Sequence, residues 1–577
     1  MKSFFLTLVL IGFAGAQSLF ACTSYLVSKG ASADGSSMIS YAGDSHVRYG
    51  QLYFFPRATW PVGSMQTIYD RSSNRPLGQI PYPNVTHQVI GFMNEHQVAV
   101  GESTFGGREL SDTTGVIDWG SIMFLGLQRG KTAREAIKVM VELVEQFGYF
   151  SSGQSYSIAD PNEVWILEII GKGMDMKIDK KTKKTYNANK GAVWVAMRIP
   201  DGYISAHANQ ARITTFPKEN ESSKSISSKN LNQIFNPEVE VAYSHDVVSF
   251  ARSKGFYEGN DSDFSFSDVY APLDFGAARF CELRVWAMFN QVNDNMSEYW
   301  DYATGMAQGP KMPLWIKPNR KLTPRDLMEF KGNHLQGTEL DMSKDFGAGP
   351  HGLPYRWRPM TWKYEGKNYF HERTTATQQT AFSWVAQMRN WLPNAIGGIF
   401  WYGLDDANLS VHAPFYAGMT HVPFTHSEDN GDFLTYSETS AFWVFQRVSH
   451  FAYLFYDRAI VDIRKKQNEL RDRYEAMVPA IDAAAMVLYK TNPELAANYL
   501  TDFSHNTANQ LVNEWRNLGN FLLVKYLDGN VKQEKDGEFL RNQWGFPLNP
   551  KHPEYPENWK KILIEETGDQ FLVPNQR

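Results

Sequence analysis

The stretch that most limits what this chain can become lies near its N-terminus, where an apolar leader runs directly into a strand-forming segment headed by a cysteine. Lys2 is followed by an apolar run from Phe4 to Phe13 and then by the small residues Ala14-Gly15-Ala16. A single charge, a short apolar core and a small-residue exit mark a secretory signal peptide, and a core this short does not span a bilayer. The mature protein is therefore expected in the periplasm or outside the cell. Ala21-Cys22-Thr23-Ser24-Tyr25-Leu26-Val27 follows at once. Cleavage after Ala21 makes Cys22 the first residue, with a thiol and a free α-amine on one carbon. Cleavage after Ala16 instead leaves a Gln17–Ala21 propeptide for autocatalytic removal.

The chain holds two cysteines, Cys22 and Cys281, and three readings of the first compete. A Cys22–Cys281 disulfide suits an exported protein, although a domain of this size needs no staple. Lipidation suits Leu19-Phe20-Ala21-Cys22, which is like a lipoprotein cleavage box, and would make the protein a lipid-anchored surface binder without catalysis. Against it, Phe20 is bulky where such boxes carry a small residue, and a strand begins where a polar tether is expected. The third reading is an N-terminal nucleophile. Thiolate is the reactive form of cysteine, and an α-amine titrating at about 7.7–8.0 accepts its proton without a histidine.

Composition removes other classes. A net charge of -5 with a pI near 6.3 leaves no broad basic field for nucleic acid. After the leader no apolar run reaches membrane-spanning length. There is no H-E-x-x-H, P-loop or G-x-S-x-G motif. Gly347-Ala348-Gly349-Pro350-His351-Gly352 fits a dinucleotide fingerprint by letter, but Pro350 and the missing strand-then-helix context make it a loop. His412, His421 and His426 lack metal-ligand spacing. No metal or organic cofactor is expected.

Along the chain, Cys22–Lys29 and Ser36–Gly43 read as strands around the turn formers Gly30-Ala31-Ser32-Ala33-Asp34-Gly35. A turn centred on Ala33 pairs Cys22 with Asp44 and brings their Cβ atoms to about 5 Å. Thr132 and Glu135 form a capping box for a helix from Ala133 to Phe147, ended by Gly148. Two hairpins follow: Ser155–Ala159 with Val164–Ile170, and Val193–Ile199 with Tyr203–Ala208 around Pro200-Asp201-Gly202. Residues 218–230 read as an exposed loop, and 310–440 as irregular and aromatic-rich. From Ser440 the chain turns helical, with a charged surface helix at Arg464–Arg473 and a further helix over Pro493–Leu527. Hairpins and helices in separate runs predict an α+β protein, antiparallel sheets covered by helices.

Several blocks then carry a family resemblance. Cys22-Thr23-Ser24 leading into Gly30-Ala31-Ser32-Ala33-Asp34-Gly35-Ser36 resembles the start of the C69 dipeptidases, which include the secernins. Met93-Asn94-Glu95-His96 with Gly101-Glu102-Ser103-Thr104-Phe105-Gly106-Gly107-Arg108 is similar to a second block of that family. Asp160–Glu168 is similar to a third, and Arg198–Gly202 through Asn209–Ile213 to a fourth. The likeness covers Cys22 to about Trp286.

The resemblance implies an αββα N-terminal-nucleophile hydrolase sandwich with a C-terminal helical extension. Residues 22–440 are then the catalytic domain, and 441–577 a mostly helical region packed on it, behind the 1–21 leader. It implies a cysteine dipeptidase working through a thioester on Cys22; an acylase or amidase acting on a non-peptide amide would use the same site. It further implies that Asp44 holds the Cys22 amine, and that Asn209 and the Thr104 backbone N–H stabilise the oxyanion. Tyr41 stands where related acylases carry an arginine and is assigned to the substrate side. A further arginine is Arg279 or Arg284, with Arg284 preferred. Glu168, an acid in the apolar strand Trp165-Ile166-Leu167-Glu168-Ile169, needs a partner. It reads either as the acceptor for a substrate α-ammonium group or as half of a structural salt bridge. The expected partner is a dipeptide or short peptide, with homo-oligomerisation open and no nucleic acid.

Overall fold

A computed structural model of the chain describes residues 20–108, 110–306, 309–357 and 360–576. The expected signal peptide, up to position 19, lies outside the described residues. Two large sheets dominate. The first is ordered Trp315–Ile316, Ile204–His207, Phe20–Val27, Ser37–Ser45, Thr380–Met388, Gly398–Leu404, Ala413–Tyr416, with all pairings antiparallel. The second runs from Ser225–Ser227 through Val241–Tyr243, Ala192–Arg198, Val164–Gly171, Gly153–Ala159, Ala99–Phe105, Met93–Asn94 and Val89–Ile90 to Phe54–Phe55. There the Ser225–Ser227 pairing is parallel and the others are antiparallel.

The sheets lie face to face, with Ala99–Phe105 against Phe20–Val27 and Ser37–Ser45. A Cβ on Gly101 would sit 3.2 Å from the Cβ of Tyr41, so a glycine lets the two layers approach here. Helices Ser121–Arg129 and Ala133–Phe147 cover the second sheet, and Leu283–Phe289, Pro324–Phe330 and Pro493–Tyr526 cover the first. The layers are helix, sheet, sheet, helix.

The helix Ala133–Phe147 has its expected bounds. Its capping box is half formed: Thr132 Oγ1 accepts from Glu135 N, whereas the Glu135 carboxylate accepts from Lys131 N. Gly153–Ala159 and Val164–Gly171 pair as a hairpin. The C-terminal region opens with Ala441–Leu454, Tyr456–Thr491 and Pro493–Tyr526, and Trp515 of the last stacks on Phe445 of the first at 5.0 Å. Among the described residues no helix is long and apolar enough to cross a membrane.

Three expectations are corrected. The stretch 310–440 is not irregular throughout, since it supplies the last three strands of the first sheet. Thr380–Met388, Gly398–Leu404 and Ala413–Tyr416 are buried along their whole length, so their sequences show no alternation of period two. The second hairpin does not form. Ala192–Arg198 pairs within one sheet and Ile204–His207 within the other. The Pro200-Asp201-Gly202 turn crosses between them, where Ser28 Oγ accepts from Gly202 N and Tyr203 N at 2.9 and 3.1 Å. Finally, residues 218–230 contain the buried strand Ser225–Ser227, whose polar side chains find partners such as Pro217 O, 2.6 Å from Ser225 Oγ.

Candidate active site

Cys22 lies within the strand Phe20–Val27, flanked on both sides by paired strands, and is 2% exposed. Both cysteines are free, so the Cys22–Cys281 bridge is not formed. Each polar group of Cys22 meets a different buried side chain. Its N–H donates to Asn209 Oδ1 at 2.8 Å. Its Sγ donates to Glu102 Oε1 at 3.2 Å and lies 3.4 Å from the Tyr41 hydroxyl, which itself donates to that same Oε1 at 2.7 Å. Its carbonyl accepts from Arg284 Nη1 at 2.7 Å.

These groups are tied to one another. Arg284 Nη1 also donates to Thr23 Oγ1 at 2.7 Å, and its Nη2 donates to Asn209 Oδ1 at 2.8 Å and Ala208 O at 3.1 Å. Asn209 Nδ2 donates to Thr104 O at 2.6 Å. The Asn209 backbone has φ 64°, a left-handed conformation that asparagine adopts more readily than most side chains. It sits just beyond Ile204–His207, so this turn aims its amide at Cys22. Lys331 Nζ donates to Thr23 O at 2.7 Å, and burial pushes its pKa down to about 7, with Asp44 pulling the other way. Burial, with Arg373 nearby, lowers Arg284 to about 10.

Asp44 does not stand opposite Cys22. Gly43 does, and Asp44 is paired with Ala21. The register centre falls between Ser32 and Ala33 because Asp34 Oδ1 closes the turn, accepting from Ser36 N at 3.0 Å, Ser36 Oγ at 2.6 Å and Ser32 Oγ at 2.8 Å. The Asp44 carboxylate is occupied by Arg373 Nη2 and Thr380 Oγ1, each at 2.6 Å, while Cys22 N goes to Asn209. Gly43 has its own reason: a Cβ there would lie 2.9 Å from the Phe382 ring.

Glu168 is likewise corrected. It is fully buried and accepts from Arg212 N at 2.5 Å and Ile213 N at 3.0 Å, with burial pushing its pKa up to about 7 against those donors. It fastens the backbone that follows Asn209. Arg279 lies 3.9 Å from Glu372 and against the rings of Phe275 and Phe370; Arg284 is the arginine that touches Cys22. The Thr104 group seen in the network is its carbonyl, and its Oγ1 accepts from Gln154 Nε2 at 2.8 Å.

The sequence alone points to no role for Glu102. Its one local signal is an acid in a strand, Ala99–Phe105, that is otherwise apolar or small and almost wholly buried. Its Oε2 is buried without a hydrogen-bond partner. Burial raises the Glu102 pKa, opposed by the bonds from Tyr41 and Cys22. The Cys22 thiol is pushed well up by burial, and the charges of Glu102 and Asp44 add to this. Burial and both nearby carboxylates thus act in one direction, against the thiolate.

Beyond Tyr41 lies a cavity of about 280 Å³ whose lining includes Arg48, Tyr53, Arg71, Phe92 and Trp119. A separate cluster brings donor atoms of His87, Glu95 and His96 within 4.8 Å of one another, but Arg57 Nη1 already pairs with Glu95 Oε1 at 2.5 Å. None of its residues touches Cys22 among the contacts described above. His412 and His426 are buried and hydrogen-bonded to Ser383 and Thr425, and His421 contacts Thr420.

Comparison with known proteins places the molecule in a class. The model of peptidase family C69 matches residues 53–469, most of the chain, and the chain belongs to that family. The matched span holds Glu102, Asn209 and Arg284, with Cys22 upstream of it. Among similar proteins, a probable dipeptidase of Salmonella dublin is 24% identical over 440 residues, covering 72% of this chain and 85% of that protein. A probable dipeptidase of Latilactobacillus sakei is 25% identical over 546 residues, covering 89% and 99%. A dipeptidase of Bifidobacterium longum is 24% identical over 437 residues, covering 70% and 72%.

Proposed function

We propose that this chain is an exported cysteine dipeptidase of the N-terminal-nucleophile type, acting through Cys22 once the bond before it is cut. The observation that carries this reading is the convergence of Asn209, Glu102 with Tyr41, and Arg284 on the nitrogen, sulfur and carbonyl of one residue. The helix–sheet–sheet–helix order supports the N-terminal-nucleophile fold, with residues 22–440 as the catalytic domain and 441–577 packed on it. The names of the relatives supply the substrate class.

Freed from Ala21, the Cys22 nitrogen becomes an amine where Asn209 Oδ1 already holds it. The amine takes the thiol proton, and Sγ attacks the carbonyl of the scissile peptide bond. As the C–N bond breaks, the proton passes to the departing amine and a thioester remains. Water then adds, the C–S bond breaks and the thiol is restored. Arg284 fixes both Asn209 and the Cys22 carbonyl, Glu102 and Tyr41 hold the sulfur, and the Thr104 N–H is assigned to the oxyanion. The Asp44 carboxylate is held by Arg373 and Thr380, and its strand pairs it with Ala21, next to Cys22. No step calls on a metal or organic cofactor.

The intact mass and N-terminal sequence of the exported protein test this reading. A free Cys22 is expected; a diacylglyceryl group on Cys22, or full activity with the leader still attached, overturns it. The rate on a dipeptide should fall as the amine is protonated below about pH 7. A rate that stays flat down to pH 5 points to another base.

A further inference from the structure

The cluster of His87, Glu95 and His96 lies apart from the Cys22 network and is built by a hairpin. In that hairpin, of Val89–Ile90 and Met93–Asn94, Val89 pairs with Asn94. Carrying the register outward sets His87 opposite His96, and their rings meet edge-on at 4.5 Å. The backbone of each residue is pinned. His87 N donates to Gln128 O at 2.8 Å, Glu95 N to Gln88 O at 3.0 Å, and His96 N to Asn94 Oδ1 at 2.9 Å. His87 Nδ1 lies 3.1 Å from Glu95 Oε1, and His96 Nε2 lies 3.9 Å from the same oxygen. The His87 side chain is 7% exposed, and His96 Nε2 is buried with no hydrogen-bond partner. A buried nitrogen without a partner costs free energy, and an ion between it and the carboxylate oxygen would satisfy both.

We propose that His87 Nδ1, Glu95 Oε1 and His96 Nε2 bind a divalent ion of the zinc class. Two imidazoles and one carboxylate are a three-ligand set that zinc takes, with a fourth position left to water. Ligands about 2.0–2.1 Å from a tetrahedral ion stand about 3.3 Å from one another. The present 3.1 and 3.9 Å need only small shifts to reach that. Magnesium and calcium, which prefer oxygen shells, fit this set poorly. Arg57 occupies part of the space: its Nη1 pairs with Glu95 Oε1 at 2.5 Å and lies 3.5 Å from His87 Nδ1. Its side chain is 54% exposed, and an ion pair that open to water holds its arginine weakly. The ion takes the place of this guanidinium, which turns out to solvent; the charge of Lys131 also reaches His96. Bound there, the ion ties together both ends of the hairpin that carries Phe92, whose ring packs on Tyr41 at 5.8 Å. The site needs nothing from Cys22 and is independent of the hydrolase reading.

Calorimetric titration of the chelator-treated full chain with zinc tests this. The tightest site should take one equivalent, and excess magnesium should not displace it. His96→Ala and Glu95→Gln should each weaken binding by about 10-fold or more, since loss of an outer-shell partner alone costs that much. Arg57→Ala should bind zinc as tightly as the wild type, or up to about fivefold more tightly, because the competing ion pair is gone. Zinc at about 100 times its Kd should raise the wild-type Tm by about 2–3 °C and leave that of His96→Ala unchanged. A cooperative unfolding transition without zinc shows that each variant is folded. Cys22→Ala and His421→Ala are the controls, because a thiol and the adjacent His421 and His505 rings, 4.5 Å apart, are other zinc donors. Both should bind as the wild type does. No binding by the wild type, undiminished binding by His96→Ala, displacement by magnesium, weaker binding by Arg57→Ala, or loss of binding in either control overturns the proposal and leaves adventitious zinc only.

Discussion

Glu168 and Glu102 sit in neighbouring regions of the same sheet, both carboxylates buried to within about 1% of full cover, and the molecule uses them in opposite ways. Both oxygens of Glu168 are spent on backbone N–H groups, at Arg212 and Ile213, so it acts as a clasp for the chain behind Asn209. Only one oxygen of Glu102 has hydrogen bonds. Those come from a thiol and a phenol across the gap between sheets, and the other oxygen has none. A carboxylate saturated by amides is fixed in structure and charge. One left half-satisfied beside a nucleophile costs desolvation energy that packing alone does not offset. The hydrogen bonds make Glu168 a backbone clasp, and on the proposed mechanism Glu102 is the carboxylate that works at Cys22.

Four experiments would break or sharpen that contrast. The largest effect belongs to the residue that Glu102 touches: Cys22→Ala should lower dipeptide turnover by about 10⁴-fold or more, with thermal unfolding little changed. Undiminished turnover in the folded variant would remove the reason to give Glu102 a chemical role. Next, Asn209→Ala, at the end of the segment that Glu168 clasps, should reduce kcat by about 10²–10³-fold. A loss of stability without a loss of kcat would make Asn209 structural.

The third experiment separates the two acids directly. Glu168→Ala strands two buried amides and should cost about 2–5 kcal/mol in a denaturant titration, whereas Glu102→Ala should cost less stability and about 10–100-fold in activity. Reversed outcomes would exchange their roles. The smallest effect is electrostatic. A negative charge beside Cys22 penalises its thiolate, so Glu102→Gln should lower the thiol pKa and shift the rate of alkylation by iodoacetamide toward lower pH. A shift to higher pH, or none, would mean that Glu102 is already neutral when the thiol ionises.

Which of these residues were legible in the sequence follows from how far apart their partners lie. Cys22 stands out because a local pattern, an apolar run leading into a strand, reads in sequence as a processing junction. Asn209 and Arg284 came from block resemblance, and the choice of Arg284 over Arg279 needed the hydrogen bond to the Cys22 carbonyl. Asp44 was misplaced by one position because Asp34, Ser32 and Ser36 close the turn through side chains, which counting from its centre does not register. The strands between Thr380 and Tyr416 went unread because a strand buried on both faces loses its alternation. Glu168 was noticed for being an acid among apolar residues. Glu102 offered the same signal more weakly, among glycine and serine.

The sequence by itself determined the α+β class, the bounds of the helix Ala133–Phe147, the helical C-terminal region and the identity of Cys22 as the residue to watch. These rest on periodicity, caps and turn formers, which are local. Tertiary structure alone added Glu102, 80 residues away, and decided how Asn209 and Arg284, at separations of 187 and 262, close on the nitrogen and carbonyl of Cys22. Those partners are set by how one sheet stacks on the other and by the helix behind it. Stacking is fixed by the burial of two whole faces, a property that no short stretch of chain carries.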